Sequence, residues 1–301
     1  MKMMKNAIVA QSGGPTTAIN ASLAGVIKGC LESHEIDVLY GALNGVEGLM
    51  DERLVNLTDI FAHNEEDLNV LKLTPAMYLG SCRRKLKDVD QDSSEYDIII
   101  NIFRKYHIHY FFYIGGNDSM DTVGKMSRYV KEHQMDVKVI GIPKTIDNDL
   151  VVTDHTPGFG SAARYVAASV LEMAHDTYIY NTKSVLIAEI MGRDAGWLTA
   201  ASVLARNSYS RAPHLIYLPE HPFSKEQFIE DIKAQFKQRE HIVIAVSEGL
   251  RDGDGHYISA ETAAVDAFGH ATLSGTGKCL EGLVAEKSGC KVRSAEINVL
   301  Q

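Results

Sequence analysis

A short apolar run that ends in a glycine turn and reopens as an amphipathic helix occurs twice in this chain. No other feature narrows the available folds as much. Ala7-Ile-Val-Ala10 leads into Gln-Ser12-Gly-Gly14-Pro-Thr-Thr17, after which Ile19, Leu23, Val26, Ile27, Cys30 and Leu31 recur at helical spacing. Tyr110-Phe-Phe-Tyr-Ile114 leads in the same way into Gly115-Gly116-Asn117-Asp118-Ser119 and a helix with Val123, Met126 and Val130 on its inner face. A strand that hands over to a helix at such a turn gathers free backbone N–H groups and the positive end of the helix dipole, which suits a phosphate. Glycine lets the backbone come close to the anion and adopt positive φ. One such loop alone is better explained by a tight turn without a ligand, and Asn117, Asp118 and Ser119 are all good N-caps. Capping needs one of them, so three in a row leave side chains for a metal or a ligand.

The remaining elements continue the alternation. A helix opens at Ser94 and Glu95 with Ile99, Ile102, Phe103 and Tyr106 on one side, and Val137–Ile142 reads as a buried strand. Gly158-x-Gly160-x-x-Ala163 has no apolar strand before it, so it reads as a loop and the start of a helix carrying Val166, Val170, Met173 and Thr177, not as a dinucleotide fingerprint. Strands follow at Ser184–Ile190, His214–Leu218 and Ile242–Val246, with a helix from Ser224 that carries a Ser224/Gln227 capping box and buries Phe228, Ile232 and Phe236. Residues 51–70 are polar and weakly periodic and read as a surface excursion. Asp252-Gly-Asp-Gly255 reads as a turn, not a calcium loop. Ser274-Gly-Thr-Gly-Lys278 fails the P-loop pattern because Thr272 stands where its first glycine belongs. Strands alternating with helices predict an α/β protein with mainly parallel sheets in two lobes, 1–160 and 161–301.

A third strand end is the most highly charged. Gly141-Ile-Pro-Lys144-Thr145-Ile-Asp147-Asn-Asp149 follows the Val137–Ile142 run and carries one ammonium and two carboxylates. Ligands of open α/β sheets collect just beyond the carboxyl ends of strands. Grouped charges there cost desolvation unless they meet ions or one another. Two further cationic stretches could meet an anionic substrate: Leu79-Gly-Ser-Cys-Arg83-Arg84-Lys85-Leu-Lys87, which taken alone reads more simply as a solvated basic face, and Met191-Gly192-Arg193 after the Ser184–Ile190 strand. The net charge of −9 argues against a dedicated nucleic-acid or anionic-membrane binder, though not against a small anion held locally. Four scattered cysteines without CxxC spacing favour reduced thiols over disulfides or zinc. Met1-Lys-Met-Met-Lys-Asn leads straight into a strand with no signal peptide, and no apolar run is long enough to span a bilayer, so a cytoplasmic location is expected.

In their order, Ser12-Gly-Gly14, Leu79-Gly-Ser-Cys-Arg83, Gly115-Gly-Asn-Asp-Ser119, Pro143-Lys-Thr-Ile-Asp-Asn-Asp149, Met191-Gly-Arg193 and Glu248 resemble the phosphofructokinase family over nearly the whole chain. The resemblance implies two Rossmann-like lobes, the first for the phosphoryl donor and the second for the sugar phosphate, and cytoplasmic homodimers or homotetramers. It implies Asp147 as the base that takes the proton from the 1-hydroxyl of fructose 6-phosphate, Asp149 as a residue that orients or helps the metal, and Thr145 against the transferring group. Met191, Gly192, Arg193, Glu248 and Arg293 map onto sugar-phosphate contacts, and Gly13, Arg83 and Ser119 onto the donor side. Members that use ATP read Gly-Gly-Asp-Gly-Ser at the second glycine turn and carry a small residue where Lys144 stands. Here Asp118 lies where the α-phosphate of ATP would go, a repulsion of about 1–4 kcal/mol at roughly 4 Å. Lys144 adds charge that stabilises a leaving phosphate. Both features match the pyrophosphate-dependent branch, with Mg²⁺.

The chain departs from the family pattern in several places. Asn117 replaces the usual metal-coordinating aspartate, and an amide oxygen can still ligate Mg²⁺ or hold one of its waters. Ser184 stands where ATP-using bacterial members have an arginine that reaches a neighbouring subunit, with Lys183 as a substitute. Ala24 replaces an effector-site arginine, so their nucleotide allostery is not expected. The resemblance also implies a segment beyond Gln301 returning to the first lobe, which is absent from this sequence. An ATP-dependent sugar-phosphate kinase and a catalytically weak regulatory subunit of the same fold stand as alternatives.

Overall fold

A computed structural model of the chain describes residues 5–259 and 275–297. Met1-Lys-Met-Met, Thr272, Ser274 and Gln301 lie outside the described residues. The chain divides into two compact units between Thr145 and Ile146, ahead of the boundary expected at 160. The cause is Ile146, an apolar residue inside the charged loop, which is buried with Ala162, Ala163 and Val166 of the second unit.

The first unit holds strands β1 (Asn6–Gln11), β2 (Leu39–Ala42), β3 (Leu54–Asn56), β4 (Ile108–Gly115) and β5 (Lys138–Pro143). Its helices are α1 (Thr17–Glu32), α2 (Gly45–Met50), α3 (Leu57–Phe61), α4 (Glu65–Leu73), α5 (Ser94–Lys105) and α6 (Asn117–Glu132). The sheet order is β3-β2-β1-β4-β5, parallel throughout except for β3, which runs antiparallel to β2. Side chains alternate across it. Ile8, Ala10, Phe111 and Tyr113 join one buried core with Val46, Leu49, Tyr96, Phe103 and Met126. Ala7, Val9 and Ile114 join the other with Ile19, Leu23, Ile27, Leu57 and Phe61. This is the period of 2 for strands packed between layers of helices.

Two expectations change here. Residues 51–70 are no excursion. They hold β3, α3 and part of α4, because Asn56 and Asn64 cap the two helices by accepting from Asp59 N (3.1 Å) and Asp67 N (3.0 Å). Short helices of one or two turns show little periodicity, so their caps are the only strong local signal. Likewise, Val137–Ile142 is not a buried strand. β5 lies at the sheet edge and Ile140 is 36% exposed, because an apolar run alone does not tell a central strand from an edge.

The second unit has α7 (Phe159–Tyr178), β6 (Ser184–Ile190), α8 (Trp197–Ala201), β7 (Leu215–Tyr217), α9 (Lys225–Phe236), β8 (His241–Ser247), α10 (Thr276–Ser288) and β9 (Lys291–Glu296). Its sheet order is β7-β8-β6-β9, all parallel. Leu186, Ala188, Ile190, Val243 and Ala245 face α7, and Val185, Ile187, Ile242, Ile244 and Val246 face α9 and α10. Half of the expected capping box forms at α9: Ser224 Oγ accepts from Gln227 N (3.1 Å), while the Gln227 side chain donates to Asp231 (2.8 Å). Asp252–Gly255 is a turn, with the Asp252 carboxylate accepting from Asp254 N and His256 N. All four cysteines are free thiols. Among the described residues no helix is long and apolar enough to cross a membrane.

Candidate functional site

In the first unit, β1 and β4 are neighbours whose chain continuations diverge, to β2 on one side and β5 on the other. This is the topological switch point at which doubly wound sheets bind ligands. The two glycine turns meet there. Gly13 has φ +85° and stands so close to Gly116 that a Cβ on it would lie 3.5 Å from the Gly116 nitrogen. Ser81 Oγ, from the basic stretch, donates to Gly13 O (2.8 Å). The third strand end arrives at the same point: Lys144 N donates to Gly115 O (2.9 Å), and the Lys144 ammonium lies 4.0 Å from where a Cβ on Gly14 would be. Lys144 is only 8% exposed. A buried ammonium beside two glycine turns is a ready partner for an anion.

Asn117 is exposed at the first position of α6, Asp118 is half-buried, and Ser119 is buried with its hydroxyl unsatisfied by any protein partner. Asp118 is not a bare carboxylate, because Lys85 Nζ lies 3.4 Å from it in a partly exposed pair. Water screens such a pair, but Lys85 still offsets part of the repulsion expected toward an α-phosphate. Of the four cations at 83–87, Arg84 pairs with Glu95, Lys85 with Asp118 and Lys87 with Asp92. Arg83 alone among these has no ion pair in the described structure, which leaves it for a ligand. A charged groove of about 510 Å³ is lined by Lys85 of that pair together with Asp88, Asp121, Gly124, Lys125 and Arg128.

In the second unit, buried and outward residues alternate through Ile146-Asp147-Asn148-Asp149. Ile146 enters the core, and Asn148 is buried in the left-handed region at φ 58°. The Asn148 amide donates to Asp154 O (3.0 Å) and its oxygen accepts from Thr156 N (2.9 Å). Asparagine tolerates that conformation better than most residues. This latch holds Asp147 half-buried and Asp149 exposed on either side of it. Sequence reading missed Asn148, although an amide between two aspartates was the available signal.

The ends of β6 and β8 interlock beside that loop. Glu248 N donates to Ile190 O (2.9 Å), Ser247 Oγ donates to Gly192 O (2.6 Å), and Gly192 N donates to Glu248 Oε1 (3.3 Å). Gly192 adopts φ +128°, and Gly249 lies so close that a Cβ on it would stand 1.8 Å from Arg193 O. Burial raises Glu248 to about 7; the Gly192 amide and Arg193 oppose this, and the charges of Asp147 and Glu189 add to it. Asp147, Gly192, Arg193 and Glu248 therefore share one electrostatic neighbourhood, with half-buried Met191 next to Gly192 in the chain. Arg293 does not join them. It lies on β9 level with Leu186, toward the start of β6, where Asp176 (3.4 Å) and the Tyr180 hydroxyl (3.3 Å) hold its guanidinium.

The donors available to a metal in the first unit are hard oxygens: the exposed Asn117 amide, the Asp118 carboxylate and the unsatisfied Ser119 hydroxyl. That set fits Mg²⁺, which keeps much of its shell as water and substrate phosphate. Among the described residues, the group of three ligand-type side chains at Asp252, Asp254 and His256 lies in the turn after β8 and is half-buried or exposed.

Comparison with known proteins gives these features a common setting. The phosphofructokinase family model matches residues 6–296. A pyrophosphate–fructose 6-phosphate 1-phosphotransferase of Halomonas elongata is 40% identical over 98% of this chain and 70% of its own length. A protein of the same name from Rhodospirillum rubrum is 42% identical over 98% of this chain and 72% of its own. The crystal structure of a pyrophosphate-dependent phosphofructokinase from Nitrosospira multiformis superposes with a TM-score of 0.83 at 34% identity, covering 98% of this chain and 69% of that one. With a matching family model, relatives of this similarity and a shared two-unit α/β fold, the chain belongs to the phosphofructokinase family.

Proposed function

We propose that the protein transfers a phosphoryl group from pyrophosphate to the 1-hydroxyl of fructose 6-phosphate, giving fructose 1,6-bisphosphate and phosphate in a reversible step of glycolysis and gluconeogenesis. The observation that carries this reading is the buried Lys144 ammonium between the turns at Gly14 and Gly115. An inorganic leaving phosphate needs its developing charge matched by a fixed cation, and a buried lysine supplies one without reorganisation. Gly13, Gly116, Arg83 and Ser119 hold the diphosphate through backbone N–H groups, a guanidinium and a hydroxyl. Gly192, Arg193, Met191 and Glu248 hold the sugar phosphate. Asp147 accepts the proton of the 1-hydroxyl as that oxygen attacks the terminal phosphorus. The bridging P–O bond breaks, and its electron pair leaves on phosphate beside Lys144. Asn117 is the ligand assigned to Mg²⁺, with Asp149 helping to orient it. The ion's chemistry is to neutralise charge on the diphosphate. The active species is assigned as a cytoplasmic homodimer or homotetramer, with Arg293 a sugar-phosphate contact by family correspondence only.

A second reading, an ATP-dependent 6-phosphofructokinase, draws on the Asp118–Lys85 pair, which reduces the carboxylate's repulsion of a nucleotide. One assay separates the two: initial rates with fructose 6-phosphate and Mg²⁺, pyrophosphate against ATP. The expected result is a pyrophosphate preference, with the rate falling by about 10²–10⁴-fold in Asp147→Ala. A preference for ATP overturns the donor reading, and no transfer from either donor overturns the activity.

A further inference from the structure

Glu189 is the one charged residue in the apolar strand Ser184-Val-Leu-Ile-Ala-Glu-Ile190, and it is 1% exposed. It makes no ion pair in the described structure. Its carboxylate points to the start of α10, where Oε2 accepts from Gly277 N (2.6 Å) and Oε1 from Gly275 N (3.3 Å). This is the same glycine-rich stretch that resembles a P-loop in composition. Its amides and helix dipole are engaged by a carboxylate of the protein itself, so they are not open to an external phosphate. A Cβ on Gly277 would stand 3.1 Å from Glu189 Oε2, so glycine there permits the close approach.

Between the two glycines, Thr276 is fully buried and its hydroxyl donates to the backbone oxygen of Glu248 (2.9 Å). Glu248 in turn accepts from Gly192 N at the strand end assigned to the sugar phosphate. One chain of bonds therefore runs from Glu189 through Gly275-Thr276-Gly277 to Glu248 and Gly192. We propose that Glu189 is a positioning residue for sugar-phosphate binding, clamping the start of α10 so that Thr276 holds Glu248 and the Gly192 turn in register. The inference rests on the proposed sugar-phosphate role of the second unit. The charges that bear on Glu189 are carboxylates, Glu296 on β9 and Glu248 after β8, so the two amides are its stabilising partners.

The test is the kinetics of Glu189→Gln, Thr276→Val and the double variant. Glutamine keeps the size of the side chain but loses the charge and one accepting oxygen. Losing a hydrogen bond to a charged acceptor predicts a rise of about tenfold in KM for fructose 6-phosphate. KM for pyrophosphate and kcat should change far less. Thr276→Val should reproduce the shift without touching the carboxylate, and the double variant should be no worse than the worse single one. A general loss of folding would lower the active fraction and leave both KM values alone. Unchanged KM for fructose 6-phosphate, equal shifts for both substrates, or additive effects overturn the role. A wild-type chain that transfers nothing from pyrophosphate refutes the proposed activity separately, and amide exchange then decides the positioning role. Faster exchange in Glu189→Gln at Gly192 as well as at Gly275 and Gly277 supports the clamp, and exchange confined to the two α10 glycines overturns it.

Discussion

Replacing Glu189 by glutamine should also change how stability depends on pH. Burial pushes this carboxyl up from an ordinary 4.5 to about 7, with the Gly277 and Gly275 amides opposing and the Glu296 charge adding. The folded protein thus binds the proton more tightly than the unfolded chain does. Between pH 4.5 and 7 the folded state carries more protons, so stability falls as pH rises through that window and the loss is complete above it. At about 1.4 kcal/mol per pH unit, the gap amounts to about 3 kcal/mol. Glu248, also raised to about 7, acts in the same direction and is retained in the variant. Removing its neighbour's charge lowers its value somewhat. His214 acts in the opposite direction. Burial holds its imidazole neutral down to about 4, so its contribution is lost as pH falls below the ordinary 6.5. Because His214 is common to both proteins, it cancels in the difference. The single tryptophan, Trp197, lies in the second unit and reports its unfolding by fluorescence. Urea unfolding of wild type and Glu189→Gln at pH 5 and pH 8 should show the variant gaining about 3 kcal/mol relative to wild type at the higher pH. In thermal melts that is roughly 6–12 °C for a unit of this size. A difference that stays flat between the two pH values refutes the reasoning, because it means the α10 amides keep the carboxylate ionised throughout.

Gly249→Ala would place a Cβ 1.8 Å from Arg193 O, so the β6 and β8 loops must separate; fructose 6-phosphate affinity should fall at least tenfold while pyrophosphate affinity holds, read by calorimetry. Ser224→Ala removes the oxygen that accepts from Gln227 N and should cost about 1 kcal/mol of second-unit stability, with activity at low temperature unchanged. A cost near zero would mean that the Gln227–Asp231 contact holds the first turn of α9 by itself.

The strands and their glycine turns were legible because they follow from local rules. Ala7–Ala10, Tyr110–Ile114, Ser184–Ile190 and Ile242–Val246 are apolar runs of strand length, and glycines mark where each of the first two gives way to a helix. Lys144 and Asp147 were legible as charges at a strand end, where they cost desolvation unless they meet ions or one another. Residues 51–70 failed the same reading because α3 and α4 are short and their identity rests on single asparagine caps. The exposure of β5 was not legible, since strand order is a property of the sheet and not of the strand. The partners of Arg293 were not legible either: its place on β9 sets it against Asp176 and Tyr180, and only the folded chain brings those residues together.

The sequence by itself determined the types of the longer elements, the chemistry of the three charged or glycine-rich strand ends, and the family they resemble, because each depends on neighbours within a few residues. Only the tertiary structure decided which of those groups meet. It joined Gly13, Gly116 and Lys144 at the β1/β4 switch point, paired Asp118 with Lys85, and turned the Gly275–Gly277 amides inward onto Glu189. The physical reason is that a hydrogen bond or ion pair between residues far apart in sequence is fixed by strand order and helix packing. In the case of Glu189 the burial that makes the contact strong is also what a linear chain does not display.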